Sequence, residues 1–212
     1  MLISEIFYSI SGESVNAGYP TIFVRTFGCN LRCDYCDSMY SVVGKDFREM
    51  TVEEVINEIK KIDCKRVILT GGEPLLQKDM MELIGELIDD DYRIEIETNG
   101  AVEIAEIINW GGATITMDWK CPSSGMNNKM LESNLAKLHS TDVIKFVVGS
   151  TEDLDEMKRI LPRTRAKAFV SPVFGKIEPK DIVQYLLDNH LNNVRFQLQI
   201  HKFVWDPNER GV

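Results

Sequence analysis

The chain of 212 residues contains 33 acidic residues against 24 Lys and Arg, and its formal charge at neutral pH is -9. With 44% apolar and 27% charged residues, the composition is that of a globular protein and excludes a disordered, collagen-like or membrane-embedded chain. The acidic balance also argues against direct binding of nucleic acid, because phosphate backbones are held by clustered basic residues. The length predicts a single domain over residues 1–212.

The hydrophobic pattern predicts strands and helices in alternation along the chain. The predicted strands cover residues 21–27, 66–70, 93–98, 113–118, 142–148, 166–171 and 194–204. The predicted helices cover residues 51–63, 78–90, 101–110, 127–139 and 179–191, with one more that begins at Ser150 or Thr151. Thr51 and Glu54 have the spacing of a capping box, in which each side chain accepts a hydrogen bond from the other residue's backbone N–H.

This alternation predicts an α/β fold, in which helices cover a parallel sheet. Seven predicted strands in 212 residues are too few for a complete eight-stranded barrel, which usually takes about 250 residues. The expected architecture is therefore an incomplete TIM-type barrel. In such folds the ligand site lies at the carboxyl ends of the strands, and the unusual motifs of this chain follow those ends.

Three of the five cysteines form a C-x3-C-x2-C motif after the first predicted strand, at Cys29, Cys33 and Cys36. Clustered thiolates favour zinc, copper(I) or an iron–sulfur cluster. A structural zinc site and an ordinary cluster both take four protein ligands, and no fourth Cys or His lies nearby in the sequence. The motif therefore indicates a metal centre with an open position for a small molecule. The alternative is a zinc knuckle completed by a distant residue, in a module without catalysis.

The number and placement of the cysteines also indicate the cellular compartment in which the protein is expected. An odd number with one tight cluster is unlike a secreted disulfide scaffold. The N-terminus has no basic stretch ahead of an apolar segment, and no apolar run reaches the roughly 20 residues that span a bilayer. We therefore expect a cytoplasmic protein that does not contact a membrane.

Four further motifs follow the predicted strands in order, namely residues 70–74 (TGGEP), 97–100 (ETNG), 118–120 (DWK) and 171–174 (SPVF). Taken singly they are ordinary turns and strand ends. In this order after the cysteine motif, they resemble the radical S-adenosylmethionine superfamily. The resemblance implies that the three cysteines hold one 4Fe-4S cluster on a loop over residues 28–40. It also implies that S-adenosylmethionine is bound by Gly72, Glu73, Glu97, Asn99, Asp118, Trp119, Lys120, Ser171, Pro172, Val173 and Phe174.

The N-terminal and C-terminal segments narrow the resemblance. Residues 5–14 (EIFYSISGES), Arg25, residues 28–33 (GCNLRC), residues 37–38 (DS) and the final RGV are similar to the 7-carboxy-7-deazaguanine synthase family. That resemblance implies a carbon–nitrogen lyase that converts 6-carboxy-5,6,7,8-tetrahydropterin to 7-carboxy-7-deazaguanine, on the route to queuosine or archaeosine. It implies Mg²⁺ as a further cofactor, a flavodoxin or ferredoxin as electron donor, and a homodimer. The alternative within the superfamily is a glycyl-radical enzyme activase, which acts on a protein.

The resemblance also assigns roles to single residues. Substrate binding is expected in the N-terminal segment of residues 1–20 and beyond it, at Ile10, Ser11, Gly12, Glu13, Arg25, Thr70 and Val212. Arg25 interrupts an apolar strand, where it can bind a carboxylate bidentately or pair within the protein. Ser38 is expected to bind Mg²⁺, in place of the family's usual Thr. At positions 11 and 14 this chain has Ser11 and Ser14, where the resembled family usually has Gln and Gly.

Overall fold

One sheet of nine strands organises the computed structural model, which describes residues 1–207 and 209–212. The strands are β1 (Leu2–Ile10), β2 (Pro20–Thr26), β3 (Arg48–Glu49), β4 (Arg66–Gly71), β5 (Arg93–Thr98), β6 (Ala113–Trp119), β7 (Val143–Val148), β8 (Lys167–Pro172) and β9 (Val194–Phe196). Their order in the sheet is β3-β1-β2-β4-β5-β6-β7-β8-β9. Strand β2 and strands β4 to β9 run parallel, whereas β1 and β3 add an antiparallel edge.

Helices connect most of the parallel strands. They are α1 (Val52–Lys60), α2 (Met80–Asp89), α3 (Ala105–Trp110), α4 (Thr151–Ile160), α5 (Pro179–Asp188) and α6 (His201–Val204). The predicted α/β class and the predicted parallel strands are confirmed. Strands β3 and β9 stand at opposite ends of the sheet order, which leaves it open. No helix of residues 1–207 and 209–212 has the length and apolar character needed to cross a membrane.

The two faces of the sheet differ in chemistry because successive side chains of a strand point to opposite sides. The outer face is apolar and fully buried against the helices, as at Val24, Leu69, Ile96, Met117 and Phe146. The neighbouring position on each of these strands carries a polar side chain on the inner face, namely Arg25, Thr70, Glu97, Asp118 and Lys145. Regular alternation thus builds both the apolar core and the polar inner face of the sheet.

Two sequence-based predictions differ from the structure, and two strands are additional to the predicted set. The helix predicted over residues 127–139 is wrong, because only the short 3-10 helices Asn127–Lys129 and Glu132–Asn134 form there. Asn134 instead donates hydrogen bonds to the carbonyls of Gly100 and Val102, at 3.3 and 2.8 Å, which ties the segment to the loop after β5. The extended segment predicted over residues 194–204 contains β9 and then α6. The edge strands β1 and β3 were not predicted.

The capping box of α1 is confirmed and allows a test. Thr51 Oγ1 accepts a hydrogen bond from the backbone N–H of Glu54 at 3.2 Å, and Glu54 Oε2 accepts one from Thr51 at 2.8 Å. We expect Thr51→Ala to lower the free energy of unfolding by about 1 kcal/mol, measured by urea denaturation. Thr151→Ala is the control, since Ser150 caps α4, and it should change the stability by less than about 0.5 kcal/mol. Equal losses in both variants would contradict the capping role.

Candidate active site

A cavity of about 510 Å³ opens where the parallel strands end. Most residues predicted from the sequence line it: Ile10, Gly12, Glu13, Arg25, Cys29, Cys33, Cys36, Ser38, Thr70, Gly72, Glu97, Asn99, Asp118, Lys120, Val173, Phe174 and Val212. The structure therefore brings together side chains from the two ends of the chain and from five strands of the sheet. Five other predicted residues lie outside the cavity wall, namely Ser11, Glu73, Trp119, Ser171 and Pro172.

The positions of Trp119 and Glu73 have clear physical reasons. Trp119 follows the inward-facing Asp118 on β6, so alternation turns it outward into the core, where its Nε1 donates to Glu156 at 3.1 Å. Glu73 is fully buried and accepts hydrogen bonds from the backbone of Leu75 and Asn99 and from the hydroxyl of Thr98, at 3.0, 2.7 and 2.9 Å. Burial raises the pKa of Glu73 to about 7. Glu73 therefore joins the loops after β4 and β5 from behind the cavity wall.

The remaining three residues are also held inside the protein. The Ser11 hydroxyl donates to the carbonyl of Glu13 at 3.0 Å, so it braces the turn after β1. Ser171 and Pro172 end β8 and are buried, so only Val173 and Phe174 of that motif reach the cavity. Sequence order alone does not distinguish these positions from their neighbours.

The three clustered cysteines are free thiols on the loop after β2, and all three face the cavity. The Sγ of Cys29 accepts hydrogen bonds from the backbone of Leu31 at 3.4 Å and from the Asn99 amide at 3.5 Å. Burial raises the pKa of the Cys33 thiol to about 11, and Lys120 opposes this shift. Binding of iron would therefore have to displace a proton from the Cys33 thiol.

The three thiols are a donor set that an iron–sulfur cluster can use. Within the part of the chain that the structure describes, no three His, Cys, Asp or Glu side chains converge closely enough to hold one metal ion. A zinc knuckle needs its ligands around a single atom, whereas a 4Fe-4S cluster offers a separate iron to each thiolate. Three free thiols that face one cavity are the donor set that the cluster implied by the sequence resemblance requires.

Gly72 explains how the TGGEP segment reaches the cysteine loop. A Cβ at Gly72 would overlap the carbonyl of Gly28 and lie 3.1 Å from the Cβ of Cys29. The backbone of Glu73 donates to that same Gly28 carbonyl at 2.8 Å, which binds the two loops together. Only glycine allows this approach, so the sequence signal at residue 72 has a direct structural cause.

An ion pair and an aromatic stack surround Arg25. The Nε of Arg25 lies 2.7 Å from Glu5 Oε1, and the guanidinium lies 5.8 Å from the centre of the Phe7 ring. Phe7 stacks on Phe23 at 4.8 Å between ring centres, and both rings line the cavity. The internal pairing that was the alternative for Arg25 is therefore present. Arg25 nevertheless reaches the cavity wall, so pairing and ligand binding are compatible.

A chain of charged residues crosses the cavity floor. Lys145 lies 2.8 Å from Glu13 and 3.8 Å from Asp118, and Lys120 lies 2.7 Å from the same Asp118 oxygen. Burial alone would raise the pKa of Asp118, but Lys120 and Lys145 together hold it below its usual value. The other carboxylate oxygens, Glu13 Oε1 and Asp118 Oδ1, are buried without a hydrogen-bond partner among the described residues. Each is an acceptor that a ligand N–H can satisfy.

Sequence reasoning missed several cavity residues, and Lys145 is the most informative of them. It is the one charged residue of the buried strand β7, VIKFVV, and that interruption of an apolar run was the available signal. His201 and Lys202 of α6 also line the cavity, and Lys202 pairs with Asp37 at 3.0 Å. Gly12 packs so tightly on His201 that a Cβ would overlap its Nδ1. These contacts join distant segments, so the sequence alone does not reveal them.

Ser14 shows how this chain accommodates its departure from the family pattern. Its backbone φ is 65°, in the left-handed region that favours glycine, which costs a non-glycine residue about 1 kcal/mol. The Ser14 backbone N–H donates to Gln197 Oε1 at 2.7 Å, and its hydroxyl bonds to that of Thr116 at 2.8 Å. Both bonds depend on the serine's position in this conformation and offset the strain.

Comparison with known proteins agrees with this geometry. Residues 23–124 match the model of the Radical SAM superfamily. The chain is 44% identical to a 7-carboxy-7-deazaguanine synthase of Clostridium acetobutylicum, over 99% of this chain and 98% of that protein. It is 42% identical to one from Methanospirillum hungatei, over 98% of this chain and 86% of that protein.

Solved structures agree on the fold. The crystal structure of QueE from Escherichia coli matches with a TM-score of 0.78 at 21% identity, over 94% of both chains. Streptococcus suis SuiB bound to precursor peptide SuiA matches with a TM-score of 0.61 at 15% identity, over 83% of this chain and 47% of that one. The family predicted from the sequence is confirmed by the full-length relatives. The chain belongs to the 7-carboxy-7-deazaguanine synthase family of the Radical SAM superfamily.

Proposed function

We propose that this protein converts 6-carboxy-5,6,7,8-tetrahydropterin to 7-carboxy-7-deazaguanine, a ring contraction with loss of ammonia carried out by a carbon–nitrogen lyase. The observation that carries the proposal is the single cavity in which three free thiols meet Arg25 and the unsatisfied Glu13 carboxylate. The substrate needs both kinds of group, because it combines a carboxylate with the N–H donors of a pterin ring. Relatives of 44% and 42% identity carry the corresponding name.

Membership of the superfamily implies one 4Fe-4S cluster and S-adenosylmethionine, with Cys29, Cys33 and Cys36 as the cluster ligands. When bound, these cofactors would supply a 5′-deoxyadenosyl radical after transfer of one electron. The chain holds S-adenosylmethionine with polar groups at the ends of β5 and β6, namely Glu97, Asn99, Asp118 and Lys120. Gly72, Val173 and Phe174 complete that part of the wall.

The substrate is held by residues from the N-terminal segment and the strand ends. Arg25 binds the carboxylate through the two terminal guanidinium nitrogens, because its Nε is already engaged by Glu5. Glu13 accepts the pterin N–H donors, and Lys145 Nζ holds the other Glu13 oxygen in place at 2.8 Å. Thr70 donates its hydroxyl hydrogen to Glu97 at 2.8 Å, so its oxygen is free to accept. Ile10, Gly12 and Val212 enclose the remaining edge.

Magnesium, the electron donor and the assembly are further parts of the proposal. Ser38 places a hydroxyl on the cavity wall, and Mg²⁺ prefers oxygen ligands and shares them with substrate and water. The substrate carboxylate would complete such a site. We also propose a flavodoxin or ferredoxin as donor, a homodimer and a cytoplasmic location, with residues 1–20 and 28–40 acting as substrate segment and cluster loop of one domain.

An anaerobic assay tests the function. Reconstituted protein is supplied with dithionite, S-adenosylmethionine, Mg²⁺ and the carboxytetrahydropterin, and the expected product is 7-carboxy-7-deazaguanine. Formation of 5′-deoxyadenosine without any deazaguanine would contradict the proposed substrate assignment and favour a glycyl-radical enzyme activase. A colourless protein that retains zinc after anaerobic purification would favour the non-catalytic module instead.

Arg25→Ala tests the carboxylate site. Loss of a bidentate charged contact should raise the substrate Kd by about 10- to 100-fold, while the iron content stays at the wild-type level. Anaerobic equilibrium binding and iron analysis measure the two effects. Arg93→Ala is the matched control, because Arg93 is exposed at the opposite end of the sheet, where β5 begins. Unchanged substrate affinity in Arg25→Ala would remove Arg25 from the site.

A further inference from the structure

Arg25 depends on a second layer of contacts that lie behind the cavity wall. Glu5 Oε1 accepts hydrogen bonds from Arg25 Nε at 2.7 Å and from the Tyr40 hydroxyl at 2.6 Å. A carboxylate oxygen shared by two short, charge-assisted bonds is held firmly, since both partners must move before it can. Holding Nε also fixes the plane of the guanidinium. Glu5 and Tyr40 do not themselves line the cavity.

The C-terminal tail contacts the ring of Tyr40, whose hydroxyl donates to Glu5. The guanidinium carbon of Arg210 lies 3.6 Å from the centre of the Tyr40 ring, and Arg210 Nη1 lies 2.8 Å from Asp46 Oδ2. Val212, two residues further on, lines the cavity. Tyr40 is the last residue of the cysteine loop and lies in the 3-10 helix Met39–Ser41. One aromatic residue thus connects the tail, the end of the cysteine loop and the partner of Arg25.

We propose that Tyr40 is a positioning residue that couples docking of the C-terminal tail to the orientation of Arg25, through its stacking on Arg210 and its hydrogen bond to Glu5. The inference rests on the proposed function, because it assigns Arg25 to the substrate carboxylate. The Arg210–Asp46 pair is exposed and contributes little alone. The effect of Arg210 on Arg25 therefore has to pass through the Tyr40 ring.

Tyr40→Phe is the informative variant because it keeps the ring for Arg210 and removes only the hydroxyl that Glu5 accepts. We expect the substrate Kd to rise about ten-fold, with iron content and S-adenosylmethionine affinity unchanged. Tyr185→Phe is the matched control, since the Tyr185 hydroxyl donates to the Asp155 carboxylate at the same 2.6 Å on the remote helix α5. It should leave the substrate Kd unchanged.

A double-mutant cycle tests the coupling itself. Arg210→Gln should raise the substrate Kd about three-fold in the wild-type background and have no effect in Tyr40→Phe, where the path to Glu5 is cut. Independent, multiplying effects would overturn the coupling, as would an unchanged Kd in Tyr40→Phe. If wild-type protein binds no carboxytetrahydropterin at all, the proposed function fails instead, so the two failures are distinguishable.

Limited proteolysis tests the contact between Arg210 and the Tyr40 ring in the absence of substrate. Trypsin cleavage after Arg210, followed by mass spectrometry, reports whether the Arg210 side chain is held. Cleavage should be faster in Tyr40→Leu, which lacks the ring, than in wild type, and Tyr40→Phe should match wild type. Equal cleavage rates in all three proteins would show that the ring does not hold the tail.

Discussion

Replacing Cys33 by Ala is expected to abolish formation of 7-carboxy-7-deazaguanine and to remove most of the bound iron. The reason is the donor set, because Cys29, Cys33 and Cys36 are the thiols that face the cavity. Two thiolates cannot replace the third, since each is expected to bind a different iron of the cluster. Iron analysis, the visible absorption of the reconstituted protein and the anaerobic product assay measure the loss.

Cys64→Ala is the matched control for this experiment. The Cys64 thiol lies after α1, outside the cavity, and bonds weakly to the carbonyl of Pro20 at 3.5 Å. Iron content and product formation should therefore match the wild type. An active, iron-loaded Cys33→Ala protein would disprove the cluster assignment. Loss of iron in Cys64→Ala alone would place the metal centre elsewhere.

Lys145→Met is expected to lower the free energy of unfolding by about 3 kcal/mol at neutral pH, because it leaves the Glu13 and Asp118 carboxylates buried without their shared cation. Lys145 is 9% exposed, so water cannot replace the lost partner. Urea denaturation across a range of pH measures the effect. Lys137→Met is the control, since its pair with Glu103 is largely exposed and should contribute less than about 1 kcal/mol.

The pH dependence of this stability difference follows from the direction in which folding shifts the pKa of Lys145 and of Asp118. Burial alone would lower the pKa of Lys145, but Glu13, Asp118 and Glu97 raise it well above 10.5, so its contribution is present below pH 10.5 and lost as pH rises through the folded value. The pKa of Asp118 is held below 3.8, so its contribution is present above pH 3.8 and lost as pH falls through the folded value. The difference between wild type and Lys145→Met should therefore narrow below about pH 4.

A second variant keeps this test informative if Lys145→Met folds poorly. Lys145→Met combined with Glu13→Gln removes the carboxylate that has lost its cation, whereas Asp118 keeps Lys120, so the double variant should recover part of the lost stability. A double variant as unstable as the single one would mean that packing, rather than charge, dominates at this position. Equal stability of Lys145→Met and wild type would show that the pair contributes nothing.

Local features of this protein were predictable from neighbouring residues. The capping box of Thr51 and Glu54 needs only two residues of one turn, and strands β4 to β8 follow from short apolar runs between turn residues. The cysteine spacing and the TGGEP segment indicated the candidate metal site, because three thiols within eight residues form a local sequence pattern. Residues 127–139 do not form the predicted helix, because Asn134 donates hydrogen bonds to backbone carbonyls in the loop after β5. No local sequence pattern reveals these contacts.

The sequence by itself therefore determined the α/β order, the clustered cysteines and half of the residues that line the cavity. Only the tertiary structure decided which of two adjacent strand residues faces the cavity, as with Asp118 and Trp119. The strand register sets this choice, because it fixes which face of the sheet each side chain occupies. The tertiary structure alone brought Lys145 to Glu13, which lies 132 positions away in the chain. It also brought Tyr40 to Glu5, 35 positions away, and to Arg210, 170 positions away. Such partners meet because the sheet brings strand ends and both termini to one edge, and that closeness in space leaves no pattern in the linear sequence.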